Sequence, residues 1–201
     1  MNSIDQAEVE SCLDQLCVEK RVIFAASCAT HLFPGYLEFN NLTGLGDPEQ
    51  LRHALNCAWQ WAGGDPKAAD FRRVAGDIEP LMLDENAIQS PATAAAEDGA
   101  RALAYVVDTI LEGRAADASF AGSVAYQAVD QRVINLRRKE VGKPNSEEQI
   151  LTHPLVQTEL ARQVRDLVEL ENAPDRETSS IVGRFRMRAE SENAFETRGN
   201  Q

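Results

Sequence analysis

The chain has 201 residues, 43% of them hydrophobic and 26% charged, which is an ordinary balance for one globular domain. A net charge of −12 and a pI near 4.7 argue against a protein that coats nucleic acid, because phosphate neutralisation needs a basic surface. Aromatics make up only 6%, so the core is expected to be built from small and aliphatic side chains, which suits close-packed helices better than a sheet.

The amino terminus, "MNSIDQAEVE", carries acid where a signal peptide carries base. The longest nearly apolar run, Val22 to Ala29, is less than half of a membrane span, so the expected location is the cytoplasm and no membrane partner is assigned. Cys12, Cys17, Cys28 and Cys57 are expected to be reduced and mostly buried there. Next comes "LFPGYLEFNNLTGLGDP", Leu32 to Pro48, rich in glycine, proline and aromatic residues. It is read as a short helix carrying Tyr36, Leu37, Phe39 and Asn40, stopped by Gly44, with Asp47 capping the next helix and Pro48 beginning it.

The same residue-then-proline device recurs at Asp65-Pro66, Ser90-Pro91 and His153-Pro154, and each is read as a helix start. Asp47 with Gln50 and Ser146 with Gln149 have capping-box spacing, and helix ends are expected at Gly63-Gly64, Gly113 and Gly142. Apolar residues between these marks recur at helical spacing. Leu103, Val106, Val107, Ile110 and Leu111 form one stripe; Phe120, Val124, Val129, Val133, Ile134 and Leu136 form a second. Leu155, Leu160, Val164, Leu167, Val168 and Leu170 form a third. The expected fold is all-α: a single-domain bundle of six to eight helices with essentially no sheet, spanning 1–190, with 191–201 a frayed tail ending in "AFETRGNQ".

Pro34, Tyr36, Phe39, Thr43, Gly44, Gly46, Asp47 and Trp59 fall in a pattern, P-x-Y-x-x-F then T-G-x-G-D then a Trp-bearing helix. That pattern resembles the signature of the YjaG-like bacterial proteins, a family of unknown function. "HPLVQTEL", from His153 and Pro154 onward, is similar to a second element of that family. The middle departs from it: "SPATAAAEDGA" stands where the family has a Y-P-A-x-D-A-like element, and only Asp98 has a counterpart there. The resemblance implies a compact helical bacterial protein and supplies no activity.

Each candidate site also has a plainer reading. Cys28 with His31, and His53 with Cys57, have i,i+3 and i,i+4 spacing that offers zinc two thiolates and two imidazoles if their helices face. The spacing matches no standard finger or ribbon, so no metal or cofactor is assigned. Gly44-Leu45-Gly46-Asp47 lacks the Lys-Ser/Thr of a phosphate loop and the third glycine of a dinucleotide fingerprint. No histidine follows a glutamate by three positions, which argues against a carboxylate di-metal site. Pairs such as Asp84-Glu85 read as solvated helix ends. Arg137, Arg138 and Lys139 read as dipole-complementing cations at a helix end. "GRFRMR", Gly183 to Arg188, is either a solvated final turn or a patch that docks an anionic partner or the protein's own acids. His153 is a helix cap or a catalytic base, and Trp59 and Trp61 are core or contact residues.

The reading that follows is a non-enzymatic interaction module: an acidic adaptor, regulator or immunity-like protein for another, basic protein, with a homo-oligomer compatible. The alternative is a small-molecule-binding protein or hydrolase with a cleft near Tyr36, Phe39, Asp47 and Asp98.

Overall fold

The computed structural model describes residues 6–81, 90–141 and 146–192. Every regular element among them is helical. Nine α-helices follow in order: α1 (Gln6–Asp14), α2 (Val18–Thr43), α3 (Pro48–Ala62), α4 (Phe71–Ile78), α5 (Pro91–Glu112), α6 (Ala115–Val141), α7 (Glu147–Leu151), α8 (Pro154–Asn172) and α9 (Thr178–Ser191). Short 3-10 turns lie at Glu79–Leu81 and Asp175–Glu177. The count exceeds the expected range by one because α7, only five residues long, closes on its own capping box. Ser146 accepts from the Gln149 amide, and the Gln149 side chain answers the Ser146 amide.

Helix α2 is the axis, packed by α5, α3, α6, α9 and α8. Every residue from Val22 to Leu32 is buried, so this helix has no solvent face along three turns. The reason is in its side chains: Ala25, Ala26, Ser27, Cys28, Ala29 and Thr30 are small and let neighbours approach from all sides. On α5, Ala96, Gly99, Ala100 and Leu103 supply the matching face. A Cβ on Gly99 would sit 3.6 Å from the Leu32 carbonyl oxygen and from Tyr36 Cβ, so the two backbones run close there.

Several expectations shift in detail. Tyr36 and Phe39 belong not to a short separate helix but to the last turns of the 26-residue α2, which continues through Pro34. Proline in a helix interior removes one i→i−4 bond and costs about 3 kcal/mol, and burial of the chain on both sides outweighs it. Asp65-Pro66 does not start a helix. Asp65 caps only a turn, through the Lys67 amide at 3.0 Å, and α4 begins at Phe71 behind Asp70. Asp70 accepts from the Arg72 and Arg73 amides, and buried Phe71 anchors that position.

Gly44 and Gly113 end α2 and α5 in the left-handed conformation, as their positions predict. Of the three stripes, Leu103, Val106, Val107, Val124, Val129, Val133, Leu160, Leu167 and Leu170 are buried, whereas Leu111, Phe120 and Val168 are exposed. Phe120 lies over Tyr105, ring centroids 5.3 Å apart, on the surface. The Gly142 helix end, Asp84-Glu85, the Lys139 side chain and the segment from 193 on lie outside the described residues.

Candidate functional site

The aromatic and glycine-rich stretch builds a corner between α2 and α3. Thr43 Oγ1 donates to the Phe39 carbonyl at 2.8 Å and accepts from the Leu45 amide at 3.1 Å. Asn40 Nδ2 donates to the Leu45 carbonyl at 3.0 Å. Tyr36 is fully buried, and its hydroxyl accepts from the Asp47 amide at 3.1 Å. Gly46, at φ +79°, crosses directly over that hydroxyl; a Cβ there would come within 2.6 Å of it. Asp47 Oδ1 accepts from the Gln50 amide at 2.9 Å and caps α3. Gln50 turns away to the Asp77 carbonyl, so the expected reciprocal box is half made. Trp59 is buried, with its indole N–H on Thr30 Oγ1 at 3.0 Å, while Trp61 is half-buried. The motif residues therefore serve caps and core. Burial raises the Tyr36 phenol, which keeps it neutral.

His153 caps α8, its Nδ1 accepting from the Leu155 amide at 3.3 Å. Asp98, half-buried on α5, is pushed up to about 6 by burial, against the opposing pull of Arg101. The Arg101 guanidinium lies 3.4 Å from it.

The zinc candidates divide between two settings. His53 Nε2 lies 3.7 Å from Cys57 Sγ on α3. Cys28 and His31 face α8, where Cys28 accepts a hydrogen bond from Arg162 and His31 pairs with Glu159. Among the described residues, no group of three or more His, Cys, Asp or Glu side chains is arranged to hold a metal.

The most heavily charged interior lies where α2 meets α8. Arg162 is buried, and its guanidinium donates to Glu159 Oε2 (2.8 Å) and Oε1 (2.7 Å), Ser27 Oγ (3.1 Å), Asp166 Oδ2 (3.2 Å) and Cys28 Sγ (3.4 Å). Glu159 also receives Gln163 Nε2 at 2.7 Å and His31 Nε2 at 3.3 Å. The other ring nitrogen of His31, Nδ1, meets the Glu192 carbonyl.

Burial by itself pushes Glu159 up. Arg162 and His31 outweigh it and hold the carboxyl far below the usual range. Burial likewise pushes the Cys28 thiol to about 12, against the pull of Arg162, so it is neither a thiolate ligand nor a nucleophile near neutral pH.

Outside this centre a second tier ties α9 down. Asp166 Oδ1 receives Arg188 at 2.9 Å, and Arg188 also bonds Glu169 at 2.7 Å. Arg165 grips Glu192 through two bonds, at 2.8 and 2.9 Å. Arg184 reaches Glu169, and Arg186 reaches Asn56 and Glu190. Buried Phe185 carries Arg188 over its ring at 4.5 Å. "GRFRMR" is thus no solvated last turn; its arginines dock on the protein's own acids. The charged side chains of this cluster are paired with one another. Chemically it holds helices in register rather than moving protons.

The sequence signal for the cluster was available but easily missed. Glu159, Arg162, Gln163 and Asp166 recur at i, i+3, i+4, i+7, a stripe as regular as the apolar one beside it. Polar stripes are normally solvated, and only the facing helix reveals that this one is not.

A family model described as "Protein of unknown function (DUF416)" matches residues 8–194. The chain belongs to the DUF416 family. A solved structure of a DUF416 family protein from Shewanella baltica OS155, at 1.91 Å resolution, is similar over 94% of each chain, with a TM-score of 0.77 and 18% identity. At that identity the likeness speaks for the fold alone. A search of curated proteins returned no match. Among the described residues of this DUF416 protein, no helix is long and apolar enough to cross a membrane.

Proposed function

We propose that this DUF416 protein is a cytoplasmic, non-enzymatic interaction module, an adaptor, regulator or immunity-like protein, whose α2–α3 corner docks on a basic protein. The finer kinship with the YjaG-like proteins belongs to the same proposal. The observation that carries it is the corner itself. Leu42, in the last turn of α2, and Leu45, in the loop that follows, are 69% and 57% exposed, at a corner pinned by Tyr36, Asn40, Thr43 and two left-handed glycines. A stiff loop that presents two leucines to water loses little entropy when a partner covers them.

The charge around them favours one kind of partner. Glu38, Asp47 and Glu49 are exposed beside the leucines. Most described cations are engaged by the protein's own acids, as with Arg73–Asp77, Arg114–Asp117 and Arg186–Glu190, so the surplus acid faces outward. Such a field steers a basic protein and repels nucleic acid. The cleft reading has less support, since Tyr36 and Asp47 are consumed in the helix cap.

The test compares untagged wild type with Leu42→Lys/Leu45→Lys and, as a distant control, Val168→Lys, in native pull-downs at 50 mM and 0.5 M salt. The expected partner is a stoichiometric protein of basic pI, retained by the control, lost by the corner variant and weakened at high salt. No stoichiometric partner at either salt, or equal capture by both variants, ends the proposal.

A further inference from the structure

A cavity of about 180 Å³ lies between α1, α6 and α8, lined among others by Val9, Gly122, Ser123, Tyr126, Leu160 and Gln163. Ser119 Oγ donates to the Gln6 carbonyl at 3.3 Å and joins α1 to α6 along one side of it. The volume is several times the roughly 30 Å³ a water occupies in the liquid and below the few hundred Å³ of pockets for drug-sized ligands. It is therefore sized for a small organic molecule.

Gln163 gives the cavity its chemistry. The residue is only 3% exposed, and both hydrogens of its amide nitrogen are engaged, by Glu159 Oε1 at 2.7 Å and by the Gly122 carbonyl at 2.9 Å. Reversing the amide would set its oxygen against a carboxylate and a carbonyl, so the orientation is fixed. Oε1 then accepts no hydrogen bond from any described residue. It is not among the sealed, partnerless atoms either, so it opens on the cavity that Gln163 lines. A Cβ on Gly122 would fall 3.0 Å from this oxygen and 3.1 Å from the Phe24 ring; the glycine keeps the space before the acceptor clear. A buried acceptor left without a donor costs about 1–3 kcal/mol.

The remaining lining sets the class of occupant. Among the described residues, no charged side chain lines the cavity. Val9 and Leu160 offer an apolar wall, and the half-exposed Ser123 and Tyr126 bring hydroxyl donors. We infer that the cavity binds a small neutral carboxamide: its N–H₂ donates to Gln163 Oε1, its carbonyl accepts from Ser123 or Tyr126, and its apolar body lies on Val9 and Leu160. A carboxylate of the same shape would set acceptor against acceptor. A ketone of the same shape would leave Oε1 unpaired.

The experiment uses the full untagged chain with benzamide, acetophenone and benzoate as probes, read by NMR titration and by crystals soaked in benzamide. Expected are saturable shifts of the Gln163 side-chain amide and Ser123 signals with benzamide. Acetophenone and benzoate should bind at least about tenfold more weakly. Electron density should place the benzamide nitrogen within hydrogen-bond distance of Gln163 Oε1. Ser123→Leu, which adds bulk to the cavity lining, should abolish the shifts while leaving the melting temperature in place; Tyr126→Phe, which keeps the shape, should weaken them. Ordered water alone in soaked crystals, binding at crystal concentration only, acetophenone equal to benzamide, or binding indifferent to both variants would overturn the assignment.

Discussion

Replacing Arg162 by methionine removes the only guanidinium among the described residues that contacts Glu159 and leaves that carboxylate buried against His31 and Gln163. The penalty at neutral pH has a ceiling, because the variant can fold with Glu159 protonated. Protonating an ordinary glutamate at pH 7 costs about 1.36 kcal/mol for each of roughly 2.7 pH units, or about 3.7 kcal/mol. That agrees with the roughly 3–5 kcal/mol found when one partner of a buried ion pair is removed.

The ceiling falls with pH, to about 1 kcal/mol at pH 5. In the wild type the folded Glu159 is held below its unfolded value, so its contribution is fully present above the unfolded range near pH 4.3 and is lost only as pH falls below it. Between pH 7 and 5, therefore, the gap between wild type and Arg162→Met should narrow by about 2–3 kcal/mol. Urea unfolding followed by the fluorescence of Trp59 and Trp61 reads this directly. With a slope near 3 kcal/mol/M, the neutral-pH midpoint should drop by about 1–1.5 M. Adding Glu159→Gln should abolish the pH dependence of the gap. A gap that stays constant from pH 7 to 5 would refute the claim that the buried charge on Glu159 sets the cost.

Three more outcomes follow from the same geometry. Gly44→Ala, at φ +71° with open space around it, should cost about 1 kcal/mol, whereas Gly46→Ala adds a clash with the Tyr36 hydroxyl and should cost about 2–3 kcal/mol by thermal unfolding. Asp98 has a folded value raised to about 6, so what it contributes below about pH 4 is lost as pH rises through 6. Asp98→Asn should therefore gain about 1 kcal/mol at pH 8 and nothing at pH 4, discounted for partial exposure and for the Arg101 pair; equal effects at both pH values would contradict it. Native protein treated with iodoacetamide at pH 8 should label Cys12 and Cys17, which are half-buried, and spare Cys28 and Cys57, with peptide mass spectrometry as the check.

The legible part of the fold was its punctuation and its periodicity. Asp47, Ser90 and Ser146 each cap a helix, and Gly44 and Gly113 each close one, because these act within four residues and need no partner elsewhere in the chain. Local rules erred where distant contacts outvoted them. Tyr36 to Asn40 read as a short helix of their own and are the end of α2, and Asp65-Pro66 reads as a start and is only a turn. Among the site candidates, Tyr36, Phe39 and Trp59 were recognisable as anchors from their place in the motif, whereas the pairing of Cys28 with Arg162 was not.

What the sequence determined alone is therefore the all-helical class, most boundaries and the acidic surface, all functions of short-range spacing and composition. Tertiary structure decided which of the two stripes on α8 meets water, and neither does so completely. It set Arg162 between Ser27, Cys28, Glu159 and Asp166, and turned the arginines of α9 inward on Glu169 and Asp166. The physical reason is that the energy of a charge depends on the dielectric and the partners around it. Ser27 and Cys28, which close the surroundings of Arg162, lie more than a hundred positions from it, a distance over which no sequence periodicity carries information.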